Sequence, residues 1–112
     1  MVPRRAFAGL LLPIATRAAQ FVMLERQDCP FCRRWHREVG ARAWNASDLG
    51  LRAPLRLVDV ARGLPPDLAT LPDTRIVPSF ILLADGDEIG RFLGFNGALF
   101  FWQQAEALLR RL

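Results

Sequence analysis

Apolar and polar positions change period several times along the chain, and each change marks an element. Gln20 to Gln27, QFVMLERQ, is an apolar run that ends in polar residues, a length suited to a buried strand. From Pro30 to about Trp44 the apolar positions Cys32, Trp35, Val39 and Ala43 recur at helical spacing. This predicts one helix with Pro30 as its first residue, where the missing N–H costs nothing. Asn45 to Pro54, NASDLGLRAP, reads as a loop, and Leu55 to Val60, LRLVDV, alternates as a second strand. Strand, helix and strand in this order predict a right-handed parallel crossover.

The second half has a different texture. Pro65, Pro66 and Pro72 leave room for at most a short helix around Asp67 to Leu71, so a groove here should be shallow. Ser79 to Ala84 reads as a strand, Asp85-Gly86-Asp87 as a hairpin turn, and Glu88 to Leu93 as its antiparallel partner. Gly94 is expected at a bulge or a close backbone approach. Asn96 is placed to cap a last helix whose apolar face is Phe101, Trp102, Ala105, Leu108, Leu109 and Leu112. The expected class is α/β, in the order β-α-β-(short α)-β-β-α, with no internal repeat and no low-complexity linker.

The first nineteen residues do not fit that pattern. They have a basic start, an apolar stretch from Ala6 to Ala15, and small residues at Ala15, Ala18 and Ala19, the three parts of a secretory signal. A membrane span needs about 20 apolar residues, and this stretch is about half that and contains Pro13. An ordinary amphipathic first helix would be interrupted by Pro3, Gly9 and Pro13. We therefore expect a cleavable export signal over 1–19, a single domain over 20–112, and no integral membrane segment after cleavage. RRAF resembles the twin-arginine export motif, and the general export route stays open beside it.

Charge narrows the function classes. The chain of 112 residues is 52% hydrophobic and carries a formal charge of +4. Three of its arginines, Arg4, Arg5 and Arg17, lie in the leading segment, and from Gln20 onward twelve arginines face eleven acids. No long basic run remains to follow a phosphate backbone, so nucleic acid is not an expected partner. All fifteen basic residues are Arg, which excludes chemistry that needs a Schiff base or a catalytic amine.

Both cysteines lie in QDCPFCRRWH, just beyond a strand end and at a helix start. Disulfide exchange needs a thiolate that can attack and a second thiol that can resolve the mixed disulfide. Cys29 at the helix N-terminus has its thiolate favoured by the helix dipole, while Cys32, one turn in on the apolar face, is placed to resolve. Arg33 and Arg34 add positive charge, or belong simply to a solvated helix face. A purely structural disulfide here would close a very short loop and constrain little. Cys29, Cys32 and His36 also have metal-ligand spacing, yet no further Cys or His follows to close a site. His36 reads instead as a hydrogen-bonded histidine on a half-buried face. No metal and no cofactor are expected.

Cys29-Pro30-Phe31-Cys32 after the first strand, IVPSF before the hairpin and LGF before the last helix resemble the thioredoxin fold over the whole of 20–112. That resemblance implies a central mixed sheet flanked by helices and a cis proline at Pro78 beside the attacking cysteine. It leaves the backbone of Val77 free to pair with an extended substrate segment. Phe31, Val77, Pro78, Leu93, Gly94 and Phe95 are then the implied rim around Cys29, with Phe95 alternatively a core residue. Thioredoxins carry a buried aspartate six residues before the first cysteine; that position here is Met23, and Glu25 shares its strand parity. Pro-Phe is closer to glutaredoxin-type and oxidant-type centres than to the Gly-Pro of thioredoxin. CRRWHREVG, GLPPDL and GRFLGFNGALFFW are similar to the SoxS-type periplasmic thiol-disulfide proteins encoded with bacterial sulfur-oxidation (Sox) systems. What this implies is a periplasmic, monomeric oxidoreductase acting on a cysteine-containing protein such as the Sox sulfur carrier, with an upstream thiol electron donor. A broader disulfide oxidant or isomerase, and a redox-sensing or metal-binding adaptor without turnover, are the alternatives.

Overall fold

The computed structural model describes residues 18–112. Residues 1–17, most of the expected export signal, lie outside that range. Strand β1 (Ala19–Glu25) is followed by helices α1 (Pro30–Glu38), α2 (Gly40–Ala46) and α3 (Asp48–Arg52). Then come β2 (Leu55–Asp59), two single 3-10 turns (Val60–Arg62 and Pro66–Leu68), β3 (Ser79–Ala84), β4 (Asp87–Leu93) and α4 (Ala98–Leu109).

The strands form one mixed sheet in the order β2-β1-β3-β4. β1 pairs parallel with β2, from Phe21 opposite Leu55 to Glu25 opposite Asp59. It pairs antiparallel with β3, and β3 with β4. β1 is therefore internal, and Phe21, Val22, Met23 and Leu24 are all fully buried. This is why its sequence is a continuous apolar run instead of an alternating one. The hairpin turn is two residues, Asp85 and Gly86, both at positive φ, so Asp87 already pairs with Ala84 as part of β4. The bulge falls between the Leu82 and Leu83 pairs, not at Gly94.

The expected single helix from Pro30 to Trp44 is broken. Gly40, at φ 81°, takes a left-handed conformation that ends α1 and restarts the chain at a new angle. The helical phase is lost there, so Trp44 is buried where Ala43 is exposed. The expected loop from Asn45 to Pro54 contains α3, capped by the Ser47 hydroxyl, which accepts from the Gly50 amide at 3.0 Å. Gly50 must be glycine because a Cβ there would overlap the Trp44 carbonyl. At the last helix the cap is Gly97, not Asn96, and no side chain bonds the first amides.

The two faces of the sheet are covered differently. On one, Phe21, Met23, Phe80 and Leu82 meet Trp35, Trp44, Phe101, Ala105, Leu108 and Leu109 from the helices. Trp44 stacks on Phe21 with ring centroids 4.0 Å apart, and its indole N–H donates to the Ala53 carbonyl at 2.9 Å. On the other, Val22, Leu24, Val58, Ile81 and Leu83 are covered by the proline-rich connection through Leu64, Leu68 and Leu71. Arg56 on β2 fastens this connection with a two-pronged bond to the Asp67 carboxylate at 2.6 and 2.9 Å. Among the described residues no helix is long and apolar enough to cross a membrane.

Candidate active site

β1 ends at Glu25, and the turn that follows delivers Cys29 to the N-cap position of α1. Pro30 fixes the first helical residue, and the Cys29 sulfur accepts from the Cys32 amide at 3.1 Å, the role that an Asp or Ser oxygen ordinarily fills. An electron-rich sulfur at this end of a helix meets the positive end of its dipole. Both thiols are free. Cys29 is 8% exposed and Cys32 1%, so the first cysteine is the more accessible of the two.

A second segment closes on Cys29 from β3. The Val77–Pro78 peptide bond is cis, and the Cys29 thiol lies 3.9 Å from the Val77 carbonyl. The Gly94 amide donates to the Pro78 carbonyl at 2.8 Å, so the end of β4 secures the proline turn. Ile76 on this side is 53% exposed, and Phe31 and Leu93 are about half-exposed.

The flank toward β2 carries charged side chains beside Leu57. A cavity of about 570 Å³ opens there between Glu25, Cys32, His36, Asp59 and Arg62. His36 Nε2 and Glu25 Oε1 are 2.7 Å apart. Burial pushes the Cys32 thiol up to about 12 from an ordinary 9.0, helped by its hydrogen bond with Cys29 and by the negative charges of Cys29 and Glu25. A backbone hydrogen bond at Arg26 works the other way. Cys32 is therefore a protonated thiol at neutral pH.

No protein-family model and no curated sequence matches the chain, whereas solved structures do. The periplasmic thioredoxin SoxS from Paracoccus pantotrophus, in its reduced form, is 32% identical over 83% of this chain and 97% of its own, with a TM-score of 0.72. The chain belongs to the thioredoxin-fold thiol-disulfide oxidoreductases. Fasciola hepatica thioredoxin, 23% identical over 96% of this chain and 94% of its own (TM-score 0.62), shares the fold. So does the short form of spinach chloroplast thioredoxin F, 19% identical over 86% and 78% (TM-score 0.60).

In this oxidoreductase Cys29, Cys32, Val77, Pro78 and Gly94 come together, with Phe31 beside them at the surface. Phe95 does not form part of the rim. At 2% exposure it is a core residue, set against Phe101 at 6.3 Å and covered by the Arg34 guanidinium 5.5 Å above its ring. The start of α4 pulls it inward, because Phe101 stands below it in the aromatic layer. Arg34 also bonds Glu38 at 2.9 Å, and Arg33 donates to the Gln27 carbonyl, so neither guanidinium is an uncommitted charge. His36 is hydrogen-bonded as expected, with its ring edge-on to Trp35 and 37% of its side chain exposed toward the open cavity. Met23 occupies the core, fully buried, while Glu25 two residues on reaches the cavity. Sequence reasoning missed Ile76 and Ser79: the Ser79 hydroxyl donates to the Ile76 carbonyl at 2.6 Å. The period-2 pattern of β3 starts at Ser79 and carries no signal that its first side chain turns back on the preceding loop.

Proposed function

We propose that this oxidoreductase works outside the cytoplasm as a reductant of one cysteine-bearing protein partner, with the sulfur carrier of a Sox system the first candidate. The observation that carries the reading is the placing of Cys29, at a helix N-terminus, against the backbone of Val77. A partner segment laid along Val77 as an added strand would bring its own sulfur to Cys29. The likeness to a periplasmic thioredoxin over nearly the whole of that protein supports the compartment and the partner class. An export signal over 1–19 ahead of a domain over 20–112 fits the same reading.

The roles follow from the two environments. The Cys29 thiolate attacks a sulfur of the partner disulfide; the S–S bond breaks, and one partner sulfur leaves as a thiolate. Cys32 then attacks Cys29, its proton neutralising the departing thiolate, and the second partner sulfur is released. Two electrons pass to the partner, and the protein is left with a Cys29–Cys32 disulfide that an upstream dithiol donor must reduce. Phe31, Val77, Pro78 and Gly94 form the recognition surface, with Phe95 supporting it from beneath.

Replacing Cys32 with Ser in the full chain should halt the reaction at the mixed disulfide and trap the partner on Cys29. One or a few exported proteins, with the sulfur carrier prominent, is the expected catch. A broad set of secreted proteins with structural disulfides would replace this reading with that of a general oxidant or isomerase, to which the Pro30-Phe31 dipeptide is suited. The reduction potential gives an independent check, since strong oxidants lie near about −120 mV and thioredoxin near about −270 mV.

A further inference from the structure

Residues 72–77 lead into the cis proline and carry the backbone on which partner pairing depends. Among the described residues they make no backbone–backbone hydrogen bond. A segment without such bonds must be held by side chains or be free to move. Three contacts hold this one: the Cys29 thiol near the Val77 carbonyl, the Ser79 hydroxyl on the Ile76 carbonyl, and Arg91.

Arg91 makes the largest of these contacts. It stands on β4 opposite Ile81, and its side chain is 15% exposed. Its Nη1 donates to the Asp73 carbonyl and its Nη2 to the Pro72 carbonyl, both at 2.9 Å. Glu88 orients the fork from the other side, accepting from Nε at 2.7 Å and from Nη2 at 2.6 Å. Asp73 has φ 50°, a left-handed turn that brings two successive carbonyls to one guanidinium. Arg91 holds the Glu88 carboxyl below its ordinary value, so the pair stays charged through neutral pH. Just beyond it, Asp73, Arg75, Ile76, Arg91 and Leu93 line a groove of about 180 Å³.

We propose that Arg91 is a positioning residue for partner recognition: it fastens residues 72–73 to β4 so that the stretch ending at Val77 is preset to receive an extended cysteine-bearing segment. The proposal rests on the functional reading above. Only a planar fork can bond both carbonyls and the Glu88 carboxylate together, so Lys does not replace Arg here. Loss of these charge-assisted bonds releases the loop without touching either sulfur.

The test uses the full-length chain as wild type, Arg91→Lys and Glu88→Gln, with two substrates and a structural readout. The substrates are a disulfide-linked pair of extended peptides, which need the Val77 strand, and the small aromatic disulfide dithiobis(nitrobenzoate), which does not. Arg91→Lys should raise KM for the peptide disulfide about tenfold with kcat unchanged, and leave the rate with the small disulfide unchanged. Glu88→Gln, which keeps one acceptor, should shift KM in the same direction by less. Backbone amide order parameters from nuclear magnetic relaxation should fall at residues 74–77 in Arg91→Lys while those of β1 stay unchanged. Equal loss with both substrates, or an unchanged peptide KM beside an active wild type, overturns the proposal. If the wild type leaves the peptide disulfide untouched, the functional reading falls on its own. Unchanged order parameters at 74–77 in Arg91→Lys then overturn the clamp as well.

Discussion

The two flanks of the Cys29–Cys32 turn differ in what they bring next to the sulfurs. Toward β3 the uncharged residues Val77, Ile76 and Leu93 are partly exposed around a buried Pro78. Toward β2 lie Glu25, His36, Asp59 and Arg62 around an open cavity. β1 is the divider, because it sits between β2 and β3 in the sheet and ends where the motif begins. Two sulfurs three residues apart thereby meet different surroundings. Cys29 faces the backbone of Val77, and Cys32 is held protonated chiefly by burial, with the charge of Glu25 a smaller cause. Division of labour between two identical side chains comes first from their depth, one capping the helix and the other buried a turn in, and then from the groups each one faces.

The largest expected effect tests that division directly. Cys29→Ser should drop turnover to the uncatalysed background with no mixed disulfide formed, whereas Cys32→Ser should still form one and stall. Mass spectrometry of the quenched reaction distinguishes them, and an adduct on Cys32 in the Cys29→Ser variant would reverse the assignment.

Next in size is a contrast within the apolar flank. Phe95→Ala removes a buried ring and should cost about 3–5 kcal/mol in urea denaturation. Phe31→Ala, at 51% exposure, should cost within about 0.5 kcal/mol and act instead on the KM for a protein disulfide. Equal stability losses would contradict the burial that separates them.

The polar flank gives a pH dependence. Cys32 binds its proton more tightly in the fold, at about 12, than at its ordinary 9.0. Its contribution to stability is complete below about pH 9 and is lost as the pH rises through about 12. Reduced wild type should therefore lose more of its urea midpoint than Cys32→Ser between about pH 8 and about pH 10.5, and equal losses would discount the shift. The smallest effect is that of Glu25→Gln. Removing a negative charge should lower the Cys32 pKa while leaving it above 9.0, since burial is the larger cause. The carbon-13 shift of Cys32 Cβ against pH reads it, and a rise would reverse the sign assigned to Glu25.

Much of this was legible in the residue pattern. Each strand was recognisable because its apolar period is local, and the cysteine pair at a helix start was recognisable because Pro30 and the preceding apolar run mark the junction. The break at Gly40 was less so: a lone glycine inside a helical pattern is tolerated as often as it ends one, and only the packing of Trp44 on Phe21 shows which happened. Phe95 could not be placed from LGFNG, since whether it faces in or out depends on Phe101, whose position is set by α4 docking on the sheet.

The sequence by itself determined the order of elements and the chemistry of two thiols at a helix N-terminus, because these depend on neighbours within a few residues. The proline that closes on them, next to Val77, which lies 48 positions beyond Cys29, was marked only by the family resemblance. The tertiary structure alone decided that Glu25 and His36 meet beside Cys32 and that Arg91 holds the carbonyls of Pro72 and Asp73. Those facts depend on contacts across 11, 18 and 19 positions of sequence, and such contacts exist only once the sheet has brought β1, β3 and β4 side by side.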